Sequence, residues 1–219
     1  MKKVCFLVVT LALLMFSSNR TNAQFHMGVG PSLGFNLNLH TGSDLEEGGS
    51  GLGIVLAAQA DMTFTQDRTI GMIASLVFYD NRNGSATTLG NLNGVNYSAE
   101  NDVSISYFQI ETLFKYRLPM GIYFVFGPEI GFDLNAELES TITYPQYPTY
   151  SGEKQKSSLK NVNTRFELKM GAGYDIPLSK LITLAPQLTF GYGVSDVIED
   201  VDYSILTFQA LVTCKFMVL

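Results

Sequence analysis

Apolar residues recur at every second position along most of this chain, the period of a β-strand and not of a helix. From Val29 the odd positions read Val29, Pro31, Leu33, Phe35, Leu37 and Leu39, and the even ones Gly28, Gly30, Ser32, Gly34, Asn36 and Asn38. A second run sets Leu52, Ile54, Leu56, Ala58, Ala60, Met62 and Phe64 against Gly53, Ala57, Gln59, Asp61 and Thr63, with Val55 an apolar exception. A third carries Ile70, Met72, Ala74, Leu76 and Phe78. A fourth carries Phe108, Ile110, Phe114 and Tyr116 against Gln109, Glu111, Lys115 and Arg117. Its upstream part, Val103, Ile105 and Tyr107, has the opposite parity, and a bulge near Tyr107 would reconcile the two halves. The fifth alternates Ile122, Phe124, Phe126, Pro128, Ile130, Phe132 and Leu134 with Gly127, Glu129, Gly131 and Asp133. The sixth, "RFELKMGAGY", alternates Arg165, Glu167 and Lys169 with Phe166, Leu168 and Met170. The seventh runs from Ile182 to Tyr192, and the eighth from Leu206 to Val218 with Thr207, Gln209, Thr213 and Lys215 on its polar side.

Most of these eight segments reach the ~9–11 residues that a tilted strand needs to cross a bilayer. The links alternate in length: short near 66–68, 118–121 and 177–180, long near 40–50, 80–101, 136–161 and 195–202. A little strand is predicted inside the longest link, at 140–144. Short turns at one end and long loops at the other are the asymmetry of outer-membrane barrels.

A soluble eight-stranded barrel of lipocalin type also alternates, but it hides its apolar face and wets its polar one. The polar positions decide between the two. They are rich in Gly, Ser, Thr, Asn and Gln, where a solvated surface carries scattered Lys and Glu. Small polar residues suit the crowded interior of a narrow barrel, and the continuous Leu, Ile, Phe, Val and Met face suits lipid. Tyr116, Tyr174 and Phe216 fall where an aromatic girdle is expected. Only 16% of residues are charged and 46% are hydrophobic, which agrees with a lipid-facing wall. The fold class predicted is therefore all-β: an eight-stranded antiparallel up-and-down transmembrane β-barrel in the bacterial outer membrane. Its expected partners begin with outer-membrane lipids, and a monomeric barrel is expected. Closure is required, because an open sheet would leave backbone groups unsatisfied in lipid.

The chain opens with Lys2 and Lys3 followed by an apolar run over residues 4–16, too short to span a bilayer. Thr21-Asn22-Ala23 offers a cleavage site, so residues 1–23 are predicted to be a signal peptide and 24–219 a single barrel domain. Without Lys2, Lys3 and Arg20, 11 of the 14 basic residues face 20 acidic ones, a net charge of −9. That balance excludes nucleic acid as a natural partner. Cys214 alone remains, so no intrachain disulfide can form.

The stretch "SYFQIETLFKYRLPMGIYFVFGPEIGFDLNAEL", residues 106–138, resembles the central hairpin of the PorT-like outer-membrane β-barrel family of Bacteroidota. Tyr107, Ile110, Lys115, Tyr116, Gly121, Tyr123, Gly127, Pro128 and Gly131 carry the match; Glu111 and Thr112 depart from it where the family often has Pro. "KMGAGYDIPLSKLITLAPQLTFGYGVSD" is similar to the family's later strands. The resemblance implies a porin-like barrel fold and raises a role in an envelope secretion or assembly system. The label "porin" implies no pore here, since eight strands enclose an interior just wide enough for side chains to fill.

The polar face predicts a structural charge network in the lumen, formed by Glu111, Lys115, Arg117, Glu129, Asp133, Arg165, Glu167, Lys169 and Asp175. One antiparallel register of the fifth and sixth strands sets Asp133 opposite Arg165, Glu129 opposite Lys169 and Phe132 opposite Phe166, with Glu167 facing Gly131. Catalytic signals are thin. "LHTGSD" holds His40, Ser43 and Asp44 near the external end of the first hairpin, the residue types of lipid A-modifying enzymes, but without mutual geometry they are not a triad. "GVGPSLG" has glycines at the wrong spacing for a phosphate loop and no helix follows it. Asp44, Glu46 and Glu47 read as a solvated loop and not a cation site. The expectation is a non-enzymatic barrel without cofactor or metal, whose external loops, chiefly 80–101 and 136–161, meet a surface or an envelope protein partner.

Overall fold

The computed structural model describes residues 25–42, 48–92, 94–146, 152–159, 162–198 and 202–218. The predicted signal peptide and the acidic residues Asp44, Glu46 and Glu47 lie outside them, as do Ser43 and the last residue. The strands are β1 (His26–Thr41), β2 (Ser50–Thr63), β3 (Ile70–Leu92), β4 (Val95–Arg117), β5 (Ile122–Thr143), β6 (Glu153–Ser158), β7 (Arg165–Tyr174), β8 (Ile176–Pro177), β9 (Ile182–Gly193) and β10 (Ser204–Met217). Eight of them form a closed antiparallel ring in the order β1-β2-β3-β4-β5-β7-β9-β10, sealed where β10 pairs with β1 from Gly28–Met217 to Thr41–Ser204. Closure leaves no strand edge in the apolar band, as lipid demands.

The tight links have local causes. Gly121 takes φ +88° and donates its N–H to Leu118 O at 3.0 Å. Arg68, at φ 58°, closes the β2–β3 turn by donating to Thr65 O at 2.9 Å, and Asp67 accepts from the Thr69 hydroxyl at 2.6 Å.

The wall is inverted relative to a soluble protein. Leu52, Phe35 and Leu188 are 70%, 62% and 67% exposed, while Gln109, Glu111, Lys169 and Arg82 are at most 1% exposed. Apolar burial therefore contributes through lipid, and the interior is polar.

The predicted bulge in the fourth strand does not occur in β4. Its odd positions point inward from Ile105 through Lys115. The irregularities fall on its neighbours. In β3, Phe78 and Tyr79 both face outward between inward Val77 and Asp80. In β5, Leu134 is the extra residue between Asp133, opposite Tyr107, and Asn135, opposite Ser106. Ile105 and Tyr107 thus stay inside, where they pack with Ala136, Val197, Tyr203 and Ile205 as an apolar roof over the lumen. Their reversed parity in the sequence reflects this roof and not a strand turned over.

Above the bulges the outward face changes from Tyr79, Phe108 and Leu134 to Asn81, Ser106 and Asn135. The expected loop 80–101 is in fact strand: β3 and β4 stay paired to Leu92–Val95, and Gly94, just before β4, takes φ +85°. The strand expected at 140–144 is the upper end of β5, which pairs with β4 to Ser98–Thr143 and with β6 on its other side. A four-stranded sheet, β3-β4-β5-β6, therefore projects past the apolar band, and twelve residues of β3, 81–92, extend it by about 40 Å at ~3.3 Å each.

Candidate functional site

Inward side chains of the ring stack in layers from the short-link end to the roof. In the lowest layer Lys115 Nζ lies 2.7 Å from Asp61 Oδ2 and 3.0 Å from Asp175 Oδ2. Lys215 Nζ contacts Asp61 Oδ2 and stands 2.8 Å from Asp175 Oδ1. The Tyr123 ring packs against the pair, 4.1 Å from Lys115 Nζ, a cation–π contact. Arg117, half-exposed at the rim, is 3.3 Å from Asp175.

In the middle layer Lys169 Nζ donates to Glu129, to Glu111 Oε2 at 3.1 Å and to Gln209 Oε1 at 3.1 Å. Ser75 donates to the other Glu111 oxygen at 2.8 Å. The upper layer holds two arginines. Arg82 binds Asp80 at 2.5 Å and Thr207, and lies 3.6 Å from both Glu129 and Glu167. Arg165 grips Glu167 Oε2 through Nε at 2.9 Å and Nη2 at 2.5 Å, and also donates to Ile205 O at 2.9 Å. Asn36 joins Asp80, so β1 is tied in as well.

Among the described residues six carboxylates, Asp61, Asp80, Glu111, Glu129, Glu167 and Asp175, meet six cations, Arg82, Lys115, Arg117, Arg165, Lys169 and Lys215. A lumen balanced in this way offers no net field to draw ions of one sign through it. Each ion is desolvated, so the network is stable only as a complete set: a charge left without its partner is penalised far more than a pair removed together.

The register differs from the predicted one by two residues. Gly131, not Asp133, stands opposite Arg165; Glu129 stands opposite Glu167; Gly127 stands opposite Lys169; and Ile130 stands opposite Phe166. Lys169 nonetheless reaches Glu129 diagonally, because its long stem spans the two-residue offset. Asp133 is exposed, beside the β5 bulge and above the last β5–β7 pair, and takes no place in the buried layers. Room for Glu167 comes from Gly191 and not from Gly131: a Cβ at Gly191 would fall 1.4 Å from Glu167 Oε1.

Asp61, Asp80, Arg82 and Lys215 were absent from the predicted network. Asp61 and Lys215 already stood on polar faces of their runs. Asp80 and Arg82 fell in an expected loop, because two consecutive outward residues reset the parity of β3.

His40 is not a loop residue. It lies buried in β1, bonded to the Tyr203 hydroxyl and 2.9 Å from Asn83 O, its ring over Gly84 where a Cβ would be 2.2 Å away. Ser43 and Asp44 lie outside the described residues.

The projecting sheet carries the other candidate surface. Glu139 accepts from Lys154 at 2.6 Å and lies 2.9 Å from Lys156, and these hydrogen bonds hold its carboxyl below the usual range. A groove of about 730 Å³ runs along the outer face between the end of β2 and β6, lined by Ser85, Asp102, Ser104, Glu137, Glu139 and Lys156 among others. The β2–β3 ladder stops at Val55–Asp80. The upper part of β3 therefore has β4 on one side and no ladder partner among the described residues on the other.

The family comparison agrees with this architecture. Residues 16–199 match the family model of the outer membrane protein beta-barrel domain. Among solved structures, Ail, the attachment invasion locus protein of Yersinia pestis, is 10% identical with a TM-score of 0.45, covering 86% of this chain and 98% of its own. Neisserial surface protein A is 10% identical with a TM-score of 0.39, covering 88% and 97%. The outer membrane protein OprG from Pseudomonas aeruginosa is 7% identical with a TM-score of 0.37, covering 90% and 96%. No curated protein matches. With a closed eight-stranded ring, an inverted wall and a family model spanning most of its length, the chain belongs to the outer membrane protein β-barrel domain family and is a protein of the bacterial outer membrane.

Proposed function

We propose that this protein is a non-enzymatic surface-interaction barrel, in which the ring is an anchor and the projecting β3-β4-β5-β6 sheet is the working part. The observation that carries the reading is the upper edge of β3, which has no ladder partner among the described residues. Its sequence from Ser85 to Leu92, "SATTLGNL", has no charge and no proline, whereas the opposite edge, β6, carries Lys154 and Lys156. Lysine on an edge discourages strand addition, and an uncharged edge invites it, so β3 is fitted to receive an extended segment of a partner by main-chain pairing.

A barrel whose 85–102 hairpin is replaced by a two-residue Asn-Gly turn tests this. Cells displaying the shortened protein are expected to lose attachment to surfaces or partner cells while the barrel folds and inserts normally. Unchanged attachment with a folded, inserted barrel would sink the reading.

The second reading, a PorT-like component of an envelope secretion or assembly system, rests on the resemblance of residues 106–138. It predicts that a deletion strain retains attachment but fails to release secreted cargo. A lipid A-modifying activity has less support, since His40 is buried against Tyr203 and not presented at a lipid-facing rim. Unaltered lipid A species in a His40→Ala strain are the expected outcome.

A further inference from the structure

Register fixes which side chains share a row on the outer face of the projecting sheet. One row runs Ser85, Asp102, Glu139, Lys156, and the next Thr87, Glu100, Thr141, Lys154. A third, nearer the ring, runs Asn83, Ser104, Glu137, Ser158. The two edge strands meet the acidic middle in different ways. β6 supplies lysine at alternate positions, and both lysines reach Glu139, at 2.6 and 2.9 Å. β3 supplies Ser85 and Thr87, which are short and uncharged.

The face is therefore unbalanced on the β3 side. In these rows four carboxylates, Glu100, Asp102, Glu137 and Glu139, meet two lysines among the described residues, a surplus of two negative charges. Glu100 and Asp102 are exposed and enter no salt bridge among the described residues. Both stand one strand in from the edge, directly opposite Thr87 and Ser85. The edge beside them is the part of β3 that runs beyond its ladder with β2.

A strand added at this edge would turn every second side chain to the outer face, the same spacing that separates Glu100 from Asp102. Its backbone would lie about 9.6 Å from that of β4, two strand spacings of ~4.8 Å. A long basic side chain crosses such a gap where the residue between is small. Within the ring, Lys115 on β4 already crosses β3 to reach Asp61 on β2 at 2.7 Å. Ser85 and Thr87 are small enough to be crossed in the same way. Charge selects against a second copy of this chain, which would bring the same uncharged edge and the same acidic rows. A neutral strand would leave the surplus standing.

We infer that the β3 edge takes an extended segment of a partner polypeptide with lysine or arginine at alternate positions, whose basic side chains cross Ser85 and Thr87 to Asp102 and Glu100. The inference rests on the reading of β3 as a receiving edge and adds the chemistry of the segment received. Main-chain pairing holds the segment, and the spacing of its cations selects it. The added strand does for Asp102 and Glu100 what β6 does for Glu139.

The test uses the full mature chain, refolded in a neutral detergent, and fluorescence anisotropy of labelled peptides as long as the 85–92 edge. One peptide alternates lysine with threonine, a second replaces every lysine by glutamine, and a third gathers the same lysines into one block. The first is expected to bind at least tenfold more tightly than either of the others. Glu100→Gln and Asp102→Asn together should remove that advantage. Glu100→Gln alone, read should the double variant fail to fold, should reduce it several-fold. Equal binding of the glutamine peptide overturns the inference and leaves β3 as a receiving edge without charge selection. Equal binding of the blocked-lysine peptide overturns it too, because acidity alone would then attract cations without regard to strand spacing. An advantage undiminished in the folded variant does the same, as does the absence of binding by all three peptides. In that last case, loss of attachment on shortening the 85–102 hairpin would still support the surface reading, so the two can fail separately.

Discussion

The two halves of β3 have the same period and opposite surroundings. From Ile70 to Tyr79 the strand turns Leu76 and Phe78 to lipid and Ile73, Ser75 and Val77 to the interior. From Asp80 upward, the inward positions carry Asp80 and Arg82, and the outward ones Asn81, Asn83 and Ser85 meet water. In the lower half a side chain is sorted by the contrast between lipid and a packed polar lumen. In the upper half both environments are polar, and pairing is held mainly by the ladder and by cross-strand contacts such as Asn91 Nδ2 to Asn96 Oδ1 at 2.7 Å. Alternation of apolar and polar residues is therefore a record of contrast between two faces, and it disappears where the contrast does even though the strand continues.

The sharpest break of this comparison lies in the lumen beneath. Lys169→Ala leaves Glu111 and Glu129 without their shared cation, and the expected loss is about 3–5 kcal/mol. Adding Glu129→Gln should recover part of it. Urea titration of the refolded proteins measures both, and strictly additive effects would contradict a coupled network.

Next in size is a matched pair on the outer wall and the projecting sheet. Leu188→Arg should cost about 2–4 kcal/mol if placed near the middle of the lipid band. Thr87→Arg, on the polar outer face, should fall within about 0.5 kcal/mol of the parent. Equal penalties from unfolding in lipid vesicles would erase the distinction between the two halves.

A smaller, local effect is expected at the tip. Gly94 holds φ +85°, so Gly94→Ala should strain the turn by about 1–2 kcal/mol. Faster amide exchange confined to the tip hairpin, with barrel exchange unchanged, is the expected signature; faster exchange throughout the ring would show that the sheet and barrel are one cooperative unit.

The smallest effect is a titration at the opposite end. Hydrogen bonds from the Thr69 and Thr65 side chains, and from the Thr69 backbone, hold Asp67 down at about 2. A depressed carboxyl contributes stability that is full above its unfolded value, near 4, and is lost as pH falls through 2. Carbon-13 detection of the Asp67 carboxylate should show a midpoint near 2 that rises toward the ordinary value in Thr69→Val; an unshifted midpoint in the parent would remove the turn's hydrogen bonds as the cause.

These contrasts explain what was legible in the sequence. Eight strands, closure and the inverted wall followed from runs such as Ile122–Leu134, where large apolar residues alternate with Gly, Glu and Asp. The upper strands were not legible by the same means, because "NRNGSATTLGNLNGVNYSAEN" has few apolar residues to alternate. A different signal was present: Asn-Gly at 93–94 between β-prone residues is a strong hairpin mark. The register of β5 against β7 was misplaced because charge pairing alone cannot distinguish directly opposed residues from diagonal neighbours when the side chain is as long as that of Lys169. Asp80 and Arg82 were missed for a separate reason, the doubled outward residues Phe78 and Tyr79, which an alternation count carries straight through. Ile105 and Tyr107 were visible as an anomaly, but their cause, the roof, needed partners from β10 and its approach, Tyr203 and Ile205, a hundred residues away in the chain.

The irregularities at Phe78–Tyr79 and Leu134 also bear on how such a protein can change. Each acts as a phase shifter, resetting which side chains look inward at the rim, so whatever is added beyond it inherits a fixed phase. The projecting hairpin can then lengthen or shorten in steps of two residues per strand without turning over a single residue of the wall. A variable tip can in this way be spliced onto an invariant stem, and exchange of tips between relatives requires continuity of phase at only two points.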